Sequence, residues 1–146
     1  MDYPTFNGMT TWKGGARSST ILREFSIESD EPVGLFGSNT ALNAVELVLS
    51  ALGACHTVGV AYVAAQRGII IQSMNFTIEG ELDIRGFFGM KGTHPGYERI
   101  GVSVHLRADA KREELETLLT TVIETSPVRD IIARNIPLNI QLAKPE

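Results

Sequence analysis

The chain has 146 residues, 43% hydrophobic and 21% charged, an ordinary composition for one globular domain spanning 1–146 that excludes a fibrous repeat or a long disordered tract. A formal net charge of -4 and a pI near 5.4, with no cluster of Lys and Arg, leave no electrostatic footprint for nucleic acid or an anionic membrane surface. The single cysteine cannot close an internal disulfide, and the polar start Met1-Asp-Tyr-Pro lacks the layout of a signal peptide, so a cytoplasmic protein is expected.

In chain order, 17–28 alternates with Ile21, Phe25 and Ile27 on one face and Glu24, Ser26 and Glu28 on the other, which predicts one half-buried strand with Arg23 on the apolar face. Residues 30–42, rich in Pro, Gly, Ser and Asn, read as a loop. A long helix over 43–67 follows, with Asn43 at its cap, Glu46 three residues on as a capping-box partner, and Gly68 as a left-handed stop. Met74, Phe76, Ile78, Leu82 and Ile84 alternate with polar residues as a second strand, in which Gly80 permits a bend. A glycine-rich loop over 86–96 leads to a third strand through Ile100, Val102, Val104 and Leu106, expected to pair antiparallel with the second. An amphipathic helix is predicted at 110–125, and a new helix from the Ser126 cap and Pro127 to Arg134. Leu138, Ile140 and Leu142 predict a closing strand. The fold class is α+β, an antiparallel sheet with helices collected on one side.

Leu47 to Ala65 contains no Asp, Glu, Lys or Arg and approaches the length that spans a bilayer. Ser50, His56, Thr57 and two glycines within it, in a chain whose other elements are amphipathic, favour instead a central helix buried in protein on nearly all sides. Three or four strands and two short helices give such a helix little cover. A second copy of the chain would supply it, which predicts a homodimer whose interface includes 43–67.

Cys55 lies inside Ala51-Leu-Gly-Ala-Cys-His56, near the middle of that helix. A lone thiol there is either a small packing residue or a redox centre. Neighbouring His56 points about 100° away, and His94 and His105 are isolated, so no metal site is expected, nor any other cofactor. Ser126 reads most simply as a helix cap; as a hydrolase nucleophile it lacks a His base and an acidic orienter. Phe87, Phe88 and Met90 are either loop anchors or the apolar wall of a pocket.

Asn43-Ala-Val-Glu-Leu47, Ala51-Leu-Gly-Ala-Cys55, Gln66-Arg-Gly68 and Ser126-Pro-Val-Arg-Asp130, in that order, resemble the OsmC/Ohr family of osmotically induced and organic hydroperoxide resistance proteins over about 12–142. The resemblance implies an intertwined homodimer with its sites at the subunit interface, and a thiol-dependent peroxidase for organic hydroperoxides and hydrogen peroxide. Cys55 matches the family's peroxidatic thiol. The resolving cysteine falls at Ser126, so no internal disulfide can form and an external thiol or dithiol would have to act as reductant. The family's acidic residue falls at Val45, with Glu46 one place later and about 100° further round the helix. Arg17 in Gly14-Gly-Ala-Arg17 is the first candidate for the family's arginine, and Arg23 the second. A thiol of ordinary acidity is only a few per cent ionised at neutral pH, so such a cation is a physical requirement for reactivity. The alternative is a protein of the same fold that catalyses nothing and binds a small apolar ligand at the dimer interface.

Overall fold

The computed structural model describes residues 3–145 and divides into two compact units, Met1–Ser50 and Ala51–Glu146. In the first, strands β1 (Gly8–Trp12), β2 (Ser18–Leu22) and β3 (Phe25–Ser29) form an antiparallel meander in that order. The expected single strand over 17–28 is therefore a hairpin, with Leu22 paired to Phe25 and Arg23-Glu24 as its two-residue turn. Arg23 has φ 54°, the positive sense that tight hairpin turns demand at a first central residue. The turn also resets the faces. Thr20 stands opposite Ile27 and Ile21 opposite Ser26, so Ile21 does not share a face with Phe25 and Ile27. Arg23 is not on an apolar face either; its exposed guanidinium lies 4.9 Å from the centre of the Phe25 ring.

The 30–42 connection is a loop carrying one turn of 3-10 helix, Val33–Leu35. Its organiser is Asp30, which is 1% exposed. The Asp30 carboxylate accepts the backbone N–H groups of Glu31, Ser38 and Thr40 and the Thr40 hydroxyl at 2.6 Å. These donors, the Thr40 hydroxyl foremost, hold the Asp30 carboxyl far below the usual carboxylate range.

Helix α1 (Ala44–Gln66) begins as expected: the Asn43 amide donates to Glu46 Oε2 at 2.8 Å, and the Glu46 amide to Asn43 Oδ1 at 2.9 Å. It ends at Gly68, whose φ of 66° lets the Ile69 N–H turn back to the Ala64 carbonyl.

In the second unit, β4 (Ile71–Leu82) and β5 (Tyr97–Ala108) form a long antiparallel ribbon, with Met74 opposite Leu106, Phe76 opposite Val104 and Ile78 opposite Val102. This face joins the core of Val60, Val63 and Ala64 from α1 with Leu118 and Val122 from α3 (Arg112–Thr125). Close packing is possible because two α1 positions lack a side chain: a Cβ on Gly53 would stand 2.6 Å from Ile78 Cδ1, and one on Gly59 would stand 2.8 Å from Val122 Cγ1. The glycine-rich connection contains a short helix, α2 (Ile84–Phe87), capped by Asp83. Helix α4 (Pro127–Ala133) follows α3 with Ser126 as its cap, as expected.

One further expectation needs correction. Residues 138–142 form no strand, and Leu138, Ile140 and Leu142 are exposed. An alternating pattern suits a strand but cannot provide the neighbouring strand that a ladder requires. Within one chain α1 is covered along one side. Leu52, His56, Val60 and Val63 form its buried stripe, while Ala51, Ala54, Val58 and Tyr62 are exposed. By length and composition alone this helix could cross a bilayer, yet its inner stripe is the core of the second unit.

Candidate functional site

Cys55 and Ser126 are 71 positions apart in sequence, and the fold brings Cys55 Sγ to 3.2 Å from Ser126 Oγ. The first residue is set by the middle of α1 and the second by the start of α4, and both elements belong to the second unit. Cys55 is half-buried and Ser126 is buried. Ser126 is orientated by the helix it caps: its Oγ accepts the Arg129 backbone N–H at 3.2 Å. With that lone pair engaged, the hydroxyl proton is free to point at the sulfur. The arrangement can therefore hold a sulfur anion, or an oxygen added to the sulfur, by an O–H donor that needs no rearrangement.

Behind the thiol, His56 is buried, with Nδ1 2.9 Å from the Leu52 carbonyl oxygen. A carbonyl only accepts, so Nδ1 carries the proton in that bond. The ring lies 6.2 Å from that of Phe76 and faces the core rather than Cys55. Among the described residues, no three His, Cys, Asp or Glu side chains gather as a metal-binding group.

The other expected site residues are placed as follows. Glu46 belongs to the first unit and its carboxylate is bonded to the Asn43 amide, the capping role. Arg17, also in the first unit, is exposed on the β1–β2 connection, where Nη2 donates to the Lys13 carbonyl at 3.0 Å. It borders a polar groove with Lys13, Glu28, Ser29 and Thr40. Phe87, Phe88 and Met90 are exposed, the two rings meeting edge to face at 5.3 Å. Sequence reasoning missed two features, the Asp30 carboxylate and a groove between α1, β5, α3 and α4 lined by Arg129. Ser38 and Thr40, spaced to donate back to Asp30, were the only available signal for the former, and no local pattern marked the latter.

A family model described as OsmC-like protein matches residues 37–141. An OsmC-like protein from Mycoplasma pneumoniae superposes with a TM-score of 0.77 at 16% identity, covering 90% of this chain and 89% of that one. An organic hydroperoxide resistance protein from Legionella pneumophila gives 0.65 at 20% identity, covering 91% and 92%. A putative organic hydroperoxide resistance protein from Vibrio cholerae, with captopril bound in one of its active sites, gives 0.62 at 18%, covering 92% and 88%. These likenesses show a common fold. None of the curated proteins matches the chain.

Proposed function

The chain belongs to the OsmC-like protein family, and from that premise we propose that it is a thiol-dependent peroxide reductase in which Cys55 is the reacting group. The observation that carries the reading is the 3.2 Å approach of Ser126 Oγ to a half-buried thiol. The names of the Legionella and Vibrio structures, an organic hydroperoxide resistance protein and a putative one, support the same substrate class.

In this reading the Cys55 thiolate attacks the terminal oxygen of a hydroperoxide. The O–O bond breaks, the departing alkoxide takes up a proton and leaves as an alcohol, and Cys55 becomes a sulfenic acid. Ser126 donates its hydroxyl proton to the sulfur before attack and to the sulfenate oxygen after it. A hydroxyl in place of a second thiol makes an internal disulfide impossible. An external thiol then condenses with the sulfenic acid, releasing water and leaving a mixed disulfide. A second external thiol displaces it, regenerating Cys55 and carrying away the oxidised pair as a disulfide. A cytoplasmic location would supply such thiols. Arg17 is proposed as the cation that favours the thiolate, and a homodimer as the working form.

The deciding experiment is intact mass after one equivalent of cumene hydroperoxide with a sulfenic-acid trap. A trapped adduct absent from Cys55→Ser is expected. An unmodified wild-type mass would leave Cys55 as a packing residue and this chain as a ligand-binding relative of its fold.

A further inference from the structure

One groove in the 51–146 unit combines apolar walls with two polar side chains. The open groove of about 240 Å³ lies between α1, β5, α3 and α4, walled by Leu52, Ile100, Val102, Ile123 and Ile132, with Arg129 and His56 as its polar members. Cys55 and Ser126 do not line it, and none of the expected site residues does. Its volume is below the roughly 300–1,000 Å³ of pockets that hold drug-sized ligands. The occupant is therefore small.

Two polar groups face this apolar space with unused capacity. The exposed Arg129 guanidinium donates no side-chain hydrogen bond to the described residues: adjacent Asp130, on which its charge also acts, is bonded by Arg134 at 2.8 Å and 2.9 Å. His56 spends Nδ1 on the Leu52 carbonyl, and its other ring nitrogen has no protein partner although the described residues contain no orphaned buried side-chain polar atom. That nitrogen must therefore be reached from the groove. It accepts from a hydroxyl when the ring is neutral and donates to an anion when the ring is charged.

We infer that this groove is a binding site for a small apolar carboxylate, its hydrocarbon part against Leu52, Val102 and Ile132 and its carboxylate paired with Arg129. The reasons are chemical. A guanidinium fork whose N–H groups are not bonded within the protein is matched by a planar carboxylate, which takes two parallel N–H bonds from it. The branched aliphatic walls add affinity for each buried methylene of the tail. The inference does not depend on any redox role of Cys55.

Octanoate is the probe, titrated calorimetrically into the full chain, with octanol as the uncharged comparison. The expected result is saturable octanoate binding with a Kd on the order of 0.1–1 mM, the range for a ligand of so few atoms. Arg129→Gln, which keeps the backbone N–H on Ser126, should weaken binding at least about tenfold and leave octanoate no better than octanol. Ile132→Trp, which fills the groove while leaving the guanidinium, should also abolish saturation. Cys55→Ser should bind as wild type, which separates this site from the peroxide reading. Octanoate that fails to saturate below about 10 mM, or that binds Arg129→Gln as tightly as wild type, would overturn the inference.

Discussion

Ser126 Oγ stands 3.2 Å from Cys55 Sγ while accepting the Arg129 backbone N–H at the same distance, 3.2 Å, so one hydroxyl couples the start of α4 to the only sulfur nucleophile in the chain. A hydrogen bond to a charged group contributes about 1.5–3 kcal/mol, and about 1.4 kcal/mol is a factor of ten in rate. Because a hydrogen bond that favours a thiolate also blunts its nucleophilicity by about half as much, Ser126→Ala should slow alkylation of Cys55 by iodoacetamide at neutral pH by about threefold or more. The same change also removes a helix cap, worth about 1 kcal/mol of stability. Ser126→Thr keeps both hydroxyl and cap, so it should restore most of the rate. Equal rates in Ser126→Ala and wild type would reduce Ser126 to a cap.

The same proximity makes a gain of function available. Disulfide formation needs the two sulfurs at about 2.05 Å with suitable Cβ geometry, a modest closing of the present approach. Ser126→Cys, treated with one equivalent of hydroperoxide, should lose two hydrogens by intact mass and both free thiols by titration, whereas wild type under the same treatment forms an adduct with added thiol. A Ser126→Cys protein that stays fully reduced, or links only between chains, would contradict the geometry.

Asp30 gives the first unit a pH signature. Because its donors hold the folded-state carboxyl far below the usual carboxylate range, it stabilises the fold at pH values above about 3.9, its ordinary unfolded value, and that contribution is lost progressively as pH falls below it. Asp83 and Asp130 are also lowered, by Arg85 and Arg134, and act in the same sense. Melting temperature followed from pH 6 to pH 2 should fall for wild type. Asp30→Asn should melt lower at pH 6 and lose less on acidification, with the remaining slope due to the arginine-paired carboxylates. Parallel curves for the two proteins would show that the loop does not depend on this anion.

Gly59 separates helix propensity from packing. Alanine is about 1 kcal/mol better than glycine in a helix interior, yet a Cβ at this position meets Val122 Cγ1 at 2.8 Å. Overpacking of a filled core costs about 1–3 kcal/mol, so Gly59→Ala should be neutral to destabilising by urea unfolding, and Gly59→Ala with Val122→Ala should show a favourable coupling between the two changes. Additive effects would mean that α1 and α3 are not in contact there.

What could be read from the sequence followed the range of the interactions involved. Asn43, Glu46 and Gly68 act on their own backbone within a few residues, and both helix ends lie where those residues indicate. The Arg23-Glu24 turn was invisible because neither residue is a turn former and the alternation runs on through it. Residues 138–142 show the converse, an alternating pattern without a strand. The pairing of Cys55 with Ser126 is tertiary, and only the order of motifs shared with a family pointed to it. Arg129 and Ile132 had no such guide, because the groove they line is assembled from four separate elements.

The exposed stripe of α1 decides between two environments for the molecule. Ala51, Ala54, Val58 and Tyr62 fall at three-and-four spacing on the side opposite the core, and Val58 and Tyr62 are 69% and 64% exposed. Each large apolar side chain withdrawn from water contributes about 1.5–3 kcal/mol, so a stripe of this kind favours either a second copy of the chain or lipid. The capped start of α1 and the His56-bearing inner stripe packed on β4 and α3 suit a helix that stays within protein, and half-buried Cys55 lies on the flank between the two stripes, where a second copy on the outer one would enclose it. Wild type should elute as a dimer by light scattering and remain in the supernatant after sedimentation with vesicles. Val58→Asp should elute as a monomer and react more slowly with hydroperoxide if the dimer completes the site. Wild type that is monomeric at about 100 μM, above the Kd of a stable interface, would remove the dimer from the mechanism, and co-sedimentation with vesicles would assign the stripe to a membrane instead.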